Sequence, residues 1–172
     1  MVCDTSLQTF GNSKSSDDIS TPLDRSLLLH LRKISDLAIT DAATAEAESY
    51  RQSKFVDIEI WTKSGNPRGI QSKAANGELH AITVVHVDDA ASRVSDLLEI
   101  HQSILLETGL TLSTALASEK LVDEACISVT RAQHEAEALD TLQNMQAKLG
   151  LQYLTRRTHL WLDETLFARL QH

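Results

Sequence analysis

Apolar residues recur every three or four positions through the stretch 88–149, which contains no proline. Polar residues fill many of the intervening positions, a pattern typical of amphipathic helices. Gly150 allows the left-handed backbone that often ends a helix, and Lys148 places a positive charge at the negative end of the helix dipole. We predict two long helices that fold back on each other as a hairpin, with the turn near residues 117–118. Asp88 or Asp89 can cap the start of the first helix.

The first half of this hairpin is apolar on nearly every side, whereas the second half carries small residues on its apolar stripe. These small residues are Ala125, Ala132 and Ala136, and they allow a partner helix to approach closely. Two interpretations remain open, because the seam joins either two helices of one chain or two chains. A small domain offers little surface to cover the first helix, so we expect a homodimer that buries part of the stretch 90–116.

Two further helical segments flank the rest of the chain. Thr21 is a good capping residue and Pro22 suits the first position of a helix. Apolar residues follow at helical spacing to about Tyr50, and the end of this segment is rich in alanine. The segment 151–170, after Gly150, is predicted to be a C-terminal helix in one or two pieces.

The hydrophobic period changes to two between residues 55 and 87. Val56, Ile58 and Ile60 alternate with acidic residues, as in a strand with one buried face. A weak strand at 69–74 and another at 79–87 flank Asn76-Gly77, a sequence typical of two-residue hairpin turns. The pattern predicts a three-stranded antiparallel meander whose apolar face is covered by the helices.

These elements combine into one fold prediction. We expect a single α+β domain over residues 21–172, dominated by helices: an N-terminal helix, the three-stranded antiparallel meander, the long helical hairpin and the C-terminal helix. Residues 1–20 are rich in Ser, Asp, Asn, Thr and Gly, which predicts a disordered tail. That tail is either an inert leader or a short segment that orders on a partner.

Composition limits the partners and the location. Of the 172 residues, 42% are hydrophobic and 23% charged, which fits one globular domain with a core. The net charge of −8 disfavours extended contact with nucleic-acid phosphates. No apolar run approaches the length of a membrane span, and no secretory signal begins the chain. Cys3 and Cys126 predict no disulfide framework. We expect a cytoplasmic protein without a nucleic-acid or membrane partner.

The chain has seven histidines, so a metal site must be considered. His80 and His86 share a predicted strand face but are roughly 20 Å apart at about 3.3 Å per residue, too far for one ion. His101 and His134 would face each other across the predicted hairpin, and a shared metal site there stays an alternative. The glutamates beside His134 are expected to face water, so we predict no metal.

A ligand or partner surface is the remaining candidate site. It comprises Trp61, His80, His86, His101, Arg156 and Arg157. Trp61 lies near a turn together with Lys63 and Arg68, while Arg156 and Arg157 belong to a basic cluster that holds an anion or pairs with acidic helix faces. Asp57 and Glu59 share a strand face and could form an acid–base pair, although we favour a solvated face there.

No catalytic or cofactor motif stands out. The sequence has no Gly-rich phosphate loop and no Gly-x-Ser-x-Gly elbow, so we assign no catalytic residue and no cofactor. We favour a non-enzymatic interaction or regulatory protein that acts through helical surfaces, with a protein partner or a second copy of itself. The alternative is a small enzyme or small-molecule sensor with a pocket between the sheet and the helices.

Overall fold

The structure is a computed structural model that describes residues 1–64, 67 and 79–172. The weak strand predicted at 69–74 and the Asn76-Gly77 turn lie outside these residues. The elements in chain order are β1 (Val2–Asp4), α1 (Pro22–Ile34), β2 (Leu37–Asp41), α2 (Ala42–Ala47), β3 (Asp57–Thr62), β4 (Ile82–His86), α3 (Ala90–Leu98), β5 (Ile104–Leu106), α4 (Leu110–Ser118), β6 (Glu124–Thr130), α5 (Glu135–Lys148), β7 (Thr155–Leu162) and β8 (Thr165–Gln171).

The chain divides into two compact units. Unit 1 comprises Met1–Arg25 and Thr114–His172, and unit 2 comprises Ser26–Ser113. One boundary falls within α1 and the other within α4. Each unit contains a four-stranded sheet of its own.

The sheet of unit 2 is parallel throughout, with the strand order β4-β3-β2-β5. A helix contacts each of its faces. On one face, Ala38 and Ile58 lie in register and pack in a cluster with Ala45 of α2. On the other face, Arg93 of α3 reaches Glu59 of β3, with Nη2 and Oε1 2.6 Å apart. β2, inside this sheet, has four consecutive buried residues from Leu37 to Thr40, whereas β3 alternates apolar and acidic residues.

The sheet of unit 1 is mixed, with the order β1-β6-β8-β7. β1 runs parallel to β6, while β8 is antiparallel to both of its neighbours. Asp163 and Glu164 join β7 to β8 with φ angles of 48° and 57°. Such a turn matches the right-handed twist of a hairpin. α5 begins after His134, whose Nδ1 accepts the Glu137 N–H at 3.1 Å.

The predicted helical hairpin over 88–149 is wrong. These residues form α3, β5, α4, β6 and α5. β6 lies between β1 and β8, and its last four residues, Ile127 to Thr130, are all buried. In a strand buried on both faces, apolar residues also fall at spacings of three and four, which imitates a helical stripe. The β-branched Ile127, Val129 and Thr130 favour the strand.

The helix-dominated α+β fold with an antiparallel meander is also wrong. β3 and β4 are strands where the sequence predicts strands, but they pair in parallel. The long first helix is instead α1, β2 and α2, because the apolar run of β2 is short and wholly buried. The predicted C-terminal helix is the β7–β8 hairpin, in which Leu166, Ala168 and Leu170 are buried at alternate positions.

Several local predictions are confirmed. α1 begins at Pro22, and the N–H of Asp24 donates to Thr21 Oγ1 at 3.2 Å. Asp89 caps α3. Gly150 takes a φ of 74° just after α5. Among the residues that the structure describes, no helix combines the length and the apolar character needed to cross a membrane.

The first twenty residues, predicted to form a disordered tail, include β1 and a short 3-10 turn at Ser16–Asp18. Cys3 is 0% exposed and Ile19 is 3% exposed. Mobility of this segment in solution stays a prediction, and the reactivity of Cys3 tests it.

Candidate functional site

The strand order of unit 2 reverses between β2 and β5. From β2 the chain continues to β3 and β4 on one side, and then returns to β5 on the other side. In open parallel sheets, such a switch point leaves a crevice at the carboxyl ends of the two strands, where ligands bind. The residues at this position are Asp41, which ends β2, and Glu107, Thr108 and Gly109, which form the β5–α4 turn.

The carboxylate of Asp41 gathers three donors at this edge. Its Oδ1 accepts the N–H of Thr44 at 2.9 Å. Its Oδ2 accepts the hydroxyl of Thr44 and the N–H of Gly109, both at 2.8 Å. We name Asp41, Thr44 and Gly109 the Asp41 cluster. Within 1–64, 67 and 79–172, no cationic side chain forms an ion pair with this carboxylate.

The absence of a side chain at Gly109 lets its backbone approach Thr44 and Asp41 closely. A Cβ at this position would lie 3.1 Å from Thr44 Oγ1 and 3.5 Å from Asp41 Oδ2. Two further hydroxyls, those of Thr108 and Ser113, lie 2.8 Å apart at the start of α4. The carboxyl edge of β2 and β5 is therefore rich in N–H and O–H donors.

Glu107 fixes the start of the β5–α4 turn. Its carboxylate accepts Nε and Nη2 of Arg32 at 2.6 and 2.5 Å, and it also accepts the hydroxyl of Tyr50. Its N–H donates to the carbonyl of Ile39, and its carbonyl accepts the hydroxyl of Thr40, both at 2.8 Å. We name Glu107, Arg32 and Tyr50 the Glu107 cluster. Because all polar groups of Glu107 are bound, the turn leaves β5 in a fixed direction.

The Glu107 cluster is buried, with 15% of the Arg32 side chain and 6% of the Glu107 side chain exposed. Burial, followed by the charge of Glu107, raises the pKa of Tyr50 well above its ordinary value. Burial works to lower the pKa of Arg32, but the hydrogen bonds and charge of Glu107 outweigh it and raise that pKa. Tyr50 is therefore neutral and Arg32 charged at neutral pH, which suits a positioning role.

The structure places one predicted site residue of unit 2 beside this edge. Trp61 is the register partner of Asp41, is 4% exposed, and donates its indole N–H to Glu59 Oε2 at 2.9 Å. His86 ends β4, which is two strands away from β2. His80 and His101 precede β4 and β5, toward the amino edge of the sheet. A ligand or partner surface formed by these residues stays a prediction.

The other predicted site residues lie in unit 1. Arg156 and Arg157 are exposed on β7, and Arg157 donates to the carbonyl of His172. His134 caps α5, and the hairpin that was to pair it with His101 does not form. Across the described part of the chain, no group of three or more His, Cys, Asp or Glu side chains could hold a metal ion.

Unit 1 also has an open depression at the first turns of α5. Its lining is mostly polar and consists of Thr5, Gln133, His134, Ala136, Glu137, Asp140, Thr141 and Asn144. It lies on a different sheet from the switch point, and three carboxylate or imidazole groups there form no metal site. The switch point is the stronger candidate, because strand topology and converging donors coincide there.

The sequence pattern does not reveal the switch-point residues. It predicts a helix around Asp41 and a helical hairpin around Gly109, and both predictions are wrong. A signal was nevertheless present, because short apolar runs at 37–39 and 104–106 each end in a polar residue and lead into a new helical stretch. That is the pattern of a buried parallel strand followed by a βα turn.

Comparison with solved structures shows which fold this is. The chain matches a diaminohydroxyphosphoribosylaminopyrimidine deaminase/5-amino-6-(5-phosphoribosylamino)uracil reductase of Thermotoga maritima, with a TM-score of 0.72, 12% identity, and 99% of this chain and 54% of that chain covered. It thus spans about half of that chain. No protein-family model and no curated protein matches.

Two other solved structures are similar over most of both chains. A pyrimidine reductase-like protein of Corynebacterium diphtheriae matches with a TM-score of 0.64 and 16% identity, over 94% of this chain and 85% of that one. Dihydrofolate reductase of Enterococcus faecalis, complexed with NADP(H), matches with a TM-score of 0.64 and 11% identity, over 99% and 92%. This chain has the α/β fold of these reductases.

The favoured function from the sequence is contradicted by this finding. A non-enzymatic regulatory protein acting through a helical hairpin is wrong, because the hairpin is absent from the described residues and the fold is that of reductases. The findings support the alternative interpretation instead, a small enzyme. The candidate site at the switch point consists of backbone N–H groups and single polar residues, which form no recognisable sequence motif.

Proposed function

We propose that this chain is a reductase that binds a reduced nicotinamide dinucleotide at the carboxyl edge of β2 and β5 and reduces a substrate that contains a nitrogen heterocycle. The observation that carries the proposal is the convergence of three donors on one anionic group at the switch point of the unit 2 sheet. The fold supports it, since one similar structure is a reductase complexed with NADP(H).

The donor set at the Asp41 cluster fits the diphosphate of such a cofactor. Phosphate oxygens bind backbone N–H groups at the start of helices, where glycine permits a close approach. Here the N–H groups of Thr44 and Gly109 already hold carboxylate oxygens at 2.9 and 2.8 Å. The hydroxyls of Thr108 and Ser113 add donors at the start of α4.

In this proposal the residues of the chain bind the cofactor and orient it. When bound, the reduced nicotinamide supplies a hydride. Thr44 and Gly109 donate to diphosphate oxygens, and the Glu107 cluster holds the β5–α4 turn so that these donors keep their positions. Such fixed donors lose little entropy when the ligand binds.

The substrate class and the location are part of the same proposal. The similar structures include a 5-amino-6-(5-phosphoribosylamino)uracil reductase and a dihydrofolate reductase, and the substrates in these two names both contain a nitrogen heterocycle. We therefore propose a pyrimidine- or pterin-type substrate. Both cysteines are free, which supports a reducing cytoplasm. A homodimer remains our expectation, and light scattering would distinguish it from a monomer.

Binding of NADPH to Gly109→Val tests the site. The Cβ of valine would lie only 3.1 Å from Thr44 Oγ1 and would crowd the donors, so we expect calorimetry to show NADPH affinity reduced by about tenfold or more, roughly 1.4 kcal/mol. Gly150→Asn is the matched control, because a Cβ there meets nothing within 4 Å and asparagine tolerates the φ of 74°.

The control should bind NADPH like the wild type. Oxidation of NADPH in the presence of dihydrofolate or of 5-amino-6-(5-phosphoribosylamino)uracil would then show which substrate is reduced. Equal NADPH affinity in wild type and Gly109→Val would place the cofactor elsewhere, and no binding by either protein would refute the proposed function.

A further inference from the structure

We propose that Asp41 is an internal competitor for the cofactor's diphosphate, so that dinucleotide binding requires its carboxylate to turn away from Thr44 and Gly109. This inference rests on the proposed function. It concerns a different question, namely what limits the affinity of that site in this chain.

The donors that would hold a phosphate oxygen are all in use. The N–H groups of Thr44 and Gly109 and the hydroxyl of Thr44 each donate to Asp41 at 2.8–2.9 Å. A backbone N–H carries a single proton, so a phosphate oxygen gains these donors only when the carboxylate leaves. A carboxylate that stays also repels the diphosphate, because like charges a few ångströms apart are unfavourable outside bulk water.

Asp41 differs from the other acidic residues near this edge in how it is held. Glu107 is bound by Arg32 at 2.6 and 2.5 Å, and Glu59 by Arg93 at 2.6 Å. For Asp41, the described residues supply only amide and hydroxyl partners. Turning it away breaks hydrogen bonds from neutral donors, which the anionic diphosphate can accept instead, whereas turning either glutamate would leave a partly buried arginine without its ion-pair partner.

A second carboxylate ties the same two strands at their amino ends and offers a control. Oδ2 of Asp36, just before β2, accepts the N–H groups of Gln102 and Ser103, just before β5, both at 2.9 Å. Asp36 thus links β2 to β5 by hydrogen bonds at the amino edge, as Asp41 does at the carboxyl edge. The amino edge has neither the glycine nor the start of a helix, so we assign Asp36 a structural role only.

The test measures NADPH dissociation constants of the full chain by calorimetry for the wild type, Asp41→Asn, Asp41→Ser and Asp36→Asn. Asparagine and serine both cap helices, so α2 keeps its start, but neither carries the charge and neither can hold all three donors. We expect both Asp41 variants to bind NADPH about tenfold or more tightly than the wild type. Asp36→Asn should match the wild type.

Each other outcome decides against the inference in a recognisable way. Equal affinity of the wild type and both Asp41 variants means that the carboxylate does not compete, while the proposed function stands. Weaker binding by the Asp41 variants means that Asp41 assists binding. Tighter binding by Asp36→Asn as well means a general charge effect rather than competition. Failure of every protein to bind NADPH refutes both the inference and the proposed function.

Discussion

Arg32 of α1 donates two hydrogen bonds to Glu107, the residue that follows β5. They run from Nε to Oε1 at 2.6 Å and from Nη2 to Oε2 at 2.5 Å. Both side chains are largely buried, at 15% and 6% exposed. Removing one member of a buried pair leaves an uncompensated charge, which typically costs about 3–5 kcal/mol. We therefore expect Arg32→Met to lower the free energy of unfolding by about that amount in urea titrations.

The matched control is Arg25→Met, in the same helix. Arg25 pairs with Asp17 at 3.6 Å, and these side chains are 52% and 77% exposed. Exposed pairs contribute roughly 0–1 kcal/mol, so this change should have little effect. Similar losses in the two variants would show that the Arg32–Glu107 pair is no more than a surface contact.

The raised pKa of Tyr50 should make the stability of the protein depend on pH in the alkaline range. Burial and the charge of Glu107 raise its pKa well above the ordinary 10.0, so the folded state favours the neutral hydroxyl. The unfolded chain then loses this proton first, and stability falls as the pH rises above about 10 toward the raised pKa. In Tyr50→Phe we expect a loss of about 1.5–3 kcal/mol at neutral pH and a shallower alkaline decline. Tyr153 titrates in both proteins, so parallel declines would argue against the assignment to Tyr50.

The labelling rate of the Cys3 thiol shows whether the N-terminal segment stays packed against β6 in solution. Burial is the main cause that raises the pKa of its thiol to about 12. Only the thiolate reacts, so in a Cys126→Ser protein we expect Cys3 to be labelled at least about a hundredfold more slowly in the folded than in the urea-unfolded chain. Equal rates in the two states would support the sequence-based expectation of a disordered tail instead.

The β7–β8 turn gives a stabilising substitution. Glu164 adopts a φ of 57°, which an L-residue other than glycine, asparagine or aspartate seldom takes. Glu164→Gly should relieve this strain and raise the free energy of unfolding by about 0.5–1 kcal/mol in thermal or urea melts. The same change at Glu46, within α2, should instead cost about 1 kcal/mol. A loss at both positions would contradict the turn geometry.

Local sequence signals were sufficient to predict where several helices start or end. Thr21 and Pro22 start α1, Asp89 caps α3, and Gly150 follows α5, because caps depend on single side chains or on glycine. The sequence pattern did not distinguish β2 and β6 from helices. β2 and β6 are covered on both faces, so their apolar runs show no alternation and resemble helix stripes.

The candidate site was beyond the sequence for a related reason. Asp41 and Gly109 are far apart in the chain, and only the placement of β5 beside β2 brings them within 2.8 Å. Neither residue has chemistry that identifies it alone. Trp61 was singled out for its neighbours in the sequence, yet its register pairing with Asp41 follows from a sheet that the pattern did not reveal.

The most direct test of the account is a nuclear magnetic resonance titration of isotope-labelled wild-type protein with NADPH. If the diphosphate binds the N–H groups of Thr44 and Gly109, these two amide resonances should shift most, and those of Thr108 and Ser113 should shift less. Asp36 holds the amides of Gln102 and Ser103 at the opposite edge, and these two should stay unchanged. Saturable shifts confined to the first turns of α5, or no shifts at millimolar NADPH, would contradict the account.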